Sequence, residues 1–294
     1  MPEKGHATGR EGLGILLMVV AMLTIPLVDG IAKHLSASYS PLFISWARYA
    51  VACMIILPVA LVRSGKEMFP RQDLGAHTLR TVFLVTAMTL YFISVSRIPL
   101  ATAITAYFVG PVIAVLISVV FFREAFTIRK GLSLVFGVMG TLLVLRPGGS
   151  TDPGILMAFG AGFFFALYMI ATRQASRQSD PFKTLTFQCV VGMFLLLPQA
   201  LASWSSVGVG DMGFFIAMGC FSAFAHVLSI MAFRYADTTS LAPLVYLELV
   251  GTSIIGYLAF NEIPGFFTIS GALLIMLAGL VLVAGKRRIP DPAH

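Results

Sequence analysis

Ten apolar blocks, each about twenty residues long, run through this chain and dominate what it can fold into. A hydrocarbon core of about 30 Å takes about 20 helical residues to cross. Inside that core every backbone polar group must be satisfied internally, which leaves helices or closed barrels. Uninterrupted apolar blocks therefore predict an all-α integral membrane protein. The spans read as 13–34, 42–62, 80–97, 100–122, 131–146, 154–173, 182–202, 212–235, 240–260 and 266–285. Charged residues make up only 11% of the chain, against about 25% in soluble domains. The first block, Gly12 to Ile31, lies near the N-terminus. It is long, holds Pro26 and Asp29 and has no clear small-residue cleavage site, so it reads as a retained span and not a signal peptide.

A net charge of +7 invites a nucleic-acid reading, but its distribution argues for topology instead. With the N-terminus placed in the cytoplasm, sixteen Lys and Arg, Arg80 at the start of the third span among them, fall in cytoplasmic segments and three, Lys33, Arg97 and Arg146, on the opposite side. Arg48 lies within a span. This asymmetry follows the positive-inside rule, with both termini cytoplasmic and an even number of helices. No nucleic acid or acidic partner is needed. Cys53, Cys189 and Cys220 all fall within spans without metal-ligand spacing, and read as small buried residues. No metal or cofactor site is expected.

The chain contains an internal repeat. Shifted by 140, Pro41 falls on Pro181, Pro58 on Pro198 and Lys33 on Arg173; later, a shift of 138 sets Phe122-Arg123-Glu124 on Phe260-Asn261-Glu262. Arg97 and Arg234 close the third helix of each half. The halves are 1–147 and 154–294, joined by a Pro- and Gly-rich linker at 148–153. Each holds five spans. Five is odd, so the second half inserts upside down, giving two inverted five-helix repeats around a central cavity, a plan of secondary transporters.

With the repeats in place, the chain resembles the drug/metabolite transporter superfamily of the EamA type. Glu124 and Glu262, closing the fourth helix of each repeat, match that family's habit, as does the turn Arg97-Ile98-Pro99-Leu100-Ala101-Thr102-Ala103. Within it the chain looks most like bacterial amino-acid exporters, including the aromatic amino-acid exporter. The resemblance implies ten helices around a central cavity, a bacterial inner (plasma) membrane location and outward movement of small metabolites. Asn261 departs from the pattern where the first repeat has Arg123. The resemblance assigns no binding residue.

Polar residues at membrane depth are the candidate site, because they are costly there unless they face a bundle interior or aqueous cavity. Glu248 lies about 12 Å along the ninth helix, near mid-membrane, with Tyr246 beside it and Thr252 one turn on. It reads as a substrate contact or proton-coupling group, or as a carboxyl group bonded to a neighbouring helix. His226, about 21 Å along the eighth helix, lies at comparable depth and would relay protons if paired with Glu248; the alternative is a satisfied core histidine. Ser229 and Ser222 flank it. Tyr107, about 10 Å into the fourth helix, loses its helical hydrogen bond to Pro111. That predicts a kinked helix with a substrate-stacking aromatic, or a packing kink alone. Pro26, Pro111 and Pro243 are candidate gating hinges. Asp29, Lys33 and Arg48 read as an outer cluster: Asp29 and Lys33 can pair locally at i,i+4, and the cluster reads either as charges paired at a helix end or as a contact for a substrate bearing an ammonium and a carboxylate. Tyr91, Thr89 and Tyr168 give their helices a polar side. Trp46 and Trp204 read as interfacial belt residues.

These features favour a secondary exporter of amino acids or similar metabolites working by alternating access. An efflux transporter for drugs or lipophilic cations is the alternative. An intramembrane enzyme is disfavoured, since no His-Glu-x-x-His motif, Ser–His pair or paired aspartates is evident. No Walker motif appears.

Overall fold

The structure, a computed structural model, describes residues 4–123, 125–145, 152–175, 180–236 and 238–283. Among the described residues twelve α-helical segments account for ten apolar crossings. The first repeat contains α1 (Lys4–Leu35), α2 (Pro41–Ser64), α3 (Leu74–Val95), α4 (Leu100–Tyr107), α5 (Gly110–Val120) and α6 (Ile128–Leu145). The second contains α7 (Pro153–Ala175), α8 (Pro181–Ala202), α9 (Val209–Tyr235), α10 (Thr238–Leu241), α11 (Leu247–Phe260) and α12 (Phe266–Val283). In each repeat the fourth crossing is broken, as α4–α5 and as α10–α11. Among the described residues nine apolar spans reach full crossing length, and a tenth, Phe266–Leu282, is slightly shorter.

The repeat is written in local chemistry. Ser40 caps α2 by accepting from Leu42 N, and Asp180 caps α8 by accepting from Phe182 N and Lys183 N. Each cap precedes a proline at N1, where a missing N–H costs nothing. At the far end of the fourth crossing, Arg123 (φ 51°) and Asn261 (φ 53°) both adopt the left-handed conformation, 138 residues apart. The break in the fourth crossing also recurs: Phe108 and Val109 separate α4 from α5, and a 3₁₀ segment, Ala242–Tyr246, separates α10 from α11.

Packing follows the same symmetry. The main contacts join the repeats: α1 with α9, α3 with α7, α2 with α8 and α6 with α12. First helices thus pack on third helices of the other repeat, second on second and fifth on fifth, as a pseudo-twofold axis in the membrane plane requires. Small residues permit the closest crossings. A Cβ on Gly162 of α7 would stand 2.7 Å from the Tyr107 carbonyl oxygen. That is the carbonyl Pro111 cannot bond, so the bare oxygen lies against a glycine.

The three prolines differ. Helix α1 continues through Pro26, whose ring fits against Gly251 of α11. Pro111 stands in the first turn of α5 and Pro243 in the 3₁₀ segment, so both mark true breaks. The 148–151 part of the expected linker, Glu124 and the Arg173 side chain lie outside the described residues.

Candidate functional site

A cavity of about 520 Å³ occupies the centre, within the roughly 300–1,000 Å³ range of small-molecule sites. Its lining reaches Phe233 and Leu282 in the last turns of α9 and α12, on the face that carries the chain ends. Towards the opposite face it stops at Asp29, Tyr91 and Tyr107. The cavity therefore opens towards the terminus-bearing side.

The opposite end is closed by contacts between repeats. Lys33 Nζ lies 2.6 Å from Glu262 Oε1 and donates to the Ile98 carbonyl at 2.7 Å. Glu262 Oε2 accepts from Leu100 N at 2.8 Å, completing the α4 N-terminus. Nearby, Tyr39 donates to Asp211 and accepts from Gly208 N. The expected local pair of Asp29 and Lys33 is thus not formed. Lys33 turns to the other repeat's Glu262, and Asp29 turns inward.

The deep end of the cavity is charged. Asp29 Oδ2 accepts from Tyr91 Oη (3.1 Å) and Thr252 Oγ1 (3.4 Å). Among the described residues Arg48 Nε donates to Ser222 Oγ at 2.8 Å and its Nη1 to the Met88 sulfur at 3.0 Å. A guanidinium has five N–H donors, so most of its capacity remains unmet, and it forms no ion pair with a described carboxylate. Glu248, in the first turn of α11, lines the cavity and makes no hydrogen bond to a described residue. Under the repeat shifts Asp29 matches Met169, Arg48 matches Gln188 and Glu248 matches Gly110. Each charge therefore has a neutral mate.

An aromatic ladder runs from this charged end towards the mouth. Ring centroids are 5.2 Å apart for Tyr91–Tyr107, 4.8 Å for Tyr107–Phe165 and 5.7 Å for Phe165–Tyr168. Opposite them, Phe108 lies 5.5 Å from Tyr246. Such walls suit planar groups and cations.

Most of the expected residues converge. Glu248, Tyr246, Tyr107, His226, Tyr91, Tyr168, Ser229 and Arg48 all line the cavity. Thr89 does not. It is buried among Ser45 and Gln199, because two residues along a helix turn the side chain roughly 200° away from Tyr91's face. The His226–Glu248 pair is not formed either. His226 Nδ1 bonds the Ser222 carbonyl at 2.8 Å, and the charges acting on it are Arg48 and Arg80. Arg80, counted above as a cytoplasmic charge, is 7% exposed within α3, because that helix begins at Leu74 and carries Arg80 into the bundle. Trp46 packs on Phe43 and Trp204, half-buried at the closed end. Asp29 and Arg80 are the polar groups whose place the sequence reading missed. For Asp29 the signal was present: a lone acid inside a span defaults to a functional site.

The model of the EamA-like transporter family matches the chain twice, over residues 12–146 and 152–284. The chain belongs to the EamA-like transporter family. It is a multi-pass membrane transporter of small molecules, not an enzyme. It is 24% identical to an S-adenosylmethionine uptake transporter of Rickettsia prowazekii, over 96% of each chain. It is 25% identical to a pseudopaline exporter of Pseudomonas aeruginosa, over 93% of this chain and 97% of that one. With a riboflavin transporter of Vibrio cholerae it shares 23% identity over 90% and 91%. A solved crystal structure at 18% identity superposes with a TM-score of 0.65 over 95% of this chain and 99% of the other, a likeness of fold.

Proposed function

We propose that this EamA-family protein is an alternating-access secondary transporter that exports zwitterionic, amino-acid-type metabolites bearing a planar or apolar body. The observation that carries the reading is the arrangement of unmet charges at the deep end of one cavity. Among the described residues Arg48 offers a guanidinium that forms no ion pair with a carboxylate, and Glu248 a carboxylate that accepts no hydrogen bond. An α-amino acid supplies both complements, and the aromatic ladder receives its side chain. S-adenosylmethionine, the cargo named for one relative, has this chemistry: an ammonium, a carboxylate, a sulfonium and a purine ring.

Glu248 is the proposed coupling group, carrying a proton on the return step and the substrate cation on the outward step. The residues assigned to substrate are Arg48, Glu248, Tyr107, Tyr91, Tyr168 and Tyr246, with His226 and Ser229 as wall groups. Pro111 and Pro243 are the proposed hinges, whereas helix α1 runs on through Pro26. We place the protein in a bacterial inner membrane with both termini cytoplasmic and the halves divided at 148–153. With Arg80 removed from the count, fifteen basic residues still oppose three. Relatives are named for both uptake and export; the driving gradient sets the net direction, and proton antiport makes it outward.

The alternative of lipophilic-cation efflux is favoured by one observation. Among the described lining residues, Asp29 and Glu248 give the cavity two carboxylates to one guanidinium, Arg48. Proteoliposomes decide between them. The panel is labelled aromatic amino acids, methionine, S-adenosylmethionine, riboflavin and tetraphenylphosphonium, with and without a pH gradient. Transport of the zwitterions, lost in Arg48→Gln and Glu248→Gln variants that still fold, supports the proposal. Transport of tetraphenylphosphonium alone, insensitive to Arg48→Gln, overturns it.

A further inference from the structure

Behind the cavity wall lies a second buried guanidinium. Arg80 Nε donates to Thr172 Oγ1 at 2.8 Å, and Nη2 donates to Gln188 Oε1 at 2.8 Å and Tyr168 Oη at 3.0 Å. Its Cζ lies 5.0 Å from the Tyr168 ring centroid. All three acceptors are neutral, and Arg80 forms no ion pair with a described residue. A buried charge held only by neutral partners is costly, so three helices of two repeats (α3, α7 and α8) meet on a group that packing alone does not call for.

Proton bookkeeping at Tyr168 shows what this arrangement delivers. A phenol has one donor and two acceptor lone pairs. One lone pair takes the Arg80 N–H, so the hydroxyl hydrogen points elsewhere. It has no acceptor among the described residues, and Tyr168 lines the cavity. A hydroxyl that accepts from a cation is polarised into a stronger donor. Tyr168 thus offers a charge-assisted O–H to whatever occupies the mouth-side half of the cavity, while its stacking on Phe165 holds the ring in place. The matching ligand group is an anion.

We propose that Tyr168, positioned and polarised by Arg80, is a carboxylate-docking station on the terminus-bearing side of the cavity, distinct from the deeper Arg48. Substrate carboxylate meets Tyr168 first and Arg48 second. Arg80 is a positioning residue, since it acts through the phenol. This inference rests on the reading that the substrate carries a carboxylate.

The test uses the purified full-length protein in detergent. Thermal unfolding is followed against benzoate, its neutral isostere benzamide, and benzylammonium, which probes the Asp29–Glu248 end. The wild type is expected to be stabilised by benzoate and not by benzamide. Tyr168→Phe and Arg80→Gln should each weaken benzoate binding about tenfold, the scale of one hydrogen bond to a charged group. Arg80→Lys should recover part of it. The Arg80→Gln/Tyr168→Phe double variant should lose no more benzoate binding than either single variant, and benzylammonium binding should fall by a smaller factor than benzoate binding in each. If the wild type shows no preference for benzoate, the carboxylate reading itself fails, and the station with it. If the preference survives Tyr168→Phe, only the station fails. If both probes lose binding by the same factor, Arg80 is a structural tie and the proposal is overturned. Should Arg80→Gln not fold, Tyr168→Phe decides alone.

Discussion

In the proposed alternating access, opening the closed face means breaking the Lys33–Glu262 contact, and the cost can be worked from its geometry. The two side chains are 15% and 17% exposed. The perturbation is Glu262→Gln, which can still accept from Leu100 N through its amide oxygen but loses the charge opposite Lys33. Hydrogen bonds to charged groups contribute about 1.5–3 kcal/mol, and partial exposure discounts this towards the surface value of up to about 1 kcal/mol. A net loss of about 1–2 kcal/mol shifts the closed-to-open ratio by about 5–30-fold. The reporter is Ile255→Cys on a background lacking Cys53, Cys189 and Cys220. Ile255 lies at the α1–α11 seam, its methyl group against Gly30. A membrane-impermeant maleimide added on the face opposite the termini should label this cysteine about 5–30 times faster in the Glu262→Gln variant. An unchanged labelling rate in a folded variant would refute the assignment of Lys33–Glu262 as the element that holds this face shut.

Asp29→Asn should lower transport with little change in folding, because an amide can still accept from Tyr91 and Thr252 while the negative charge is lost; transport rates beside melting curves check this. Arg48→Gln should raise the half-saturating concentration of a transported amino acid by about 30-fold or more, from the roughly 2–5 kcal/mol lost when one partner of a buried charge pair is truncated; an equal effect on the corresponding amine would contradict carboxylate recognition. Gly162→Ala should lower the melting temperature, since its Cβ would stand 2.7 Å from a carbonyl oxygen and overpacking costs about 1–3 kcal/mol. Gly279→Ala would collide with the Tyr246 hydroxyl and push that ring aside, so transport of bulky probes should fall more than transport of small ones. Glu248→Gln should flatten the pH dependence of transport whereas His226→Gln leaves it in place, as their separate surroundings require; the opposite result would restore the histidine as the proton carrier.

Much of the architecture could be read from sequence because membranes impose simple rules. Span length and the Pro41/Pro181 and Phe122/Phe260 registers each report on backbone-level constraints, and these survive in any side-chain environment. The candidate site was legible in part for the same reason: a polar residue within a span has few places to go. What failed was partner choice. Lys33 was read as the local mate of Asp29 because i,i+4 spacing allows it. Glu262 lies 229 positions away in sequence, and nothing local announces that the closed fold brings it nearer. Arg80 was read as a loop charge because hydropathy begins the third span there, yet α3 starts six residues earlier. Thr89 was placed on the cavity because it is polar, although helical phase turns it towards Gln199.

Three charges with neutral mates have an energetic consequence. If the two repeats were identical in sequence, the states open to either side would be the same structure viewed from opposite faces, equal in energy and equally populated. Asp29, Arg48 and Glu248 break that degeneracy, because their mates Met169, Gln188 and Gly110 cannot take over their contacts. A difference of about 1.4 kcal/mol between the states sets a tenfold resting bias. Under the proposed alternating access the empty carrier thus has a preferred face, set by a charge distribution the repeats do not share, with Asp29 and Arg48 in the first and Glu248 in the second, and a substrate that neutralises these charges would level the two states and let the carrier turn.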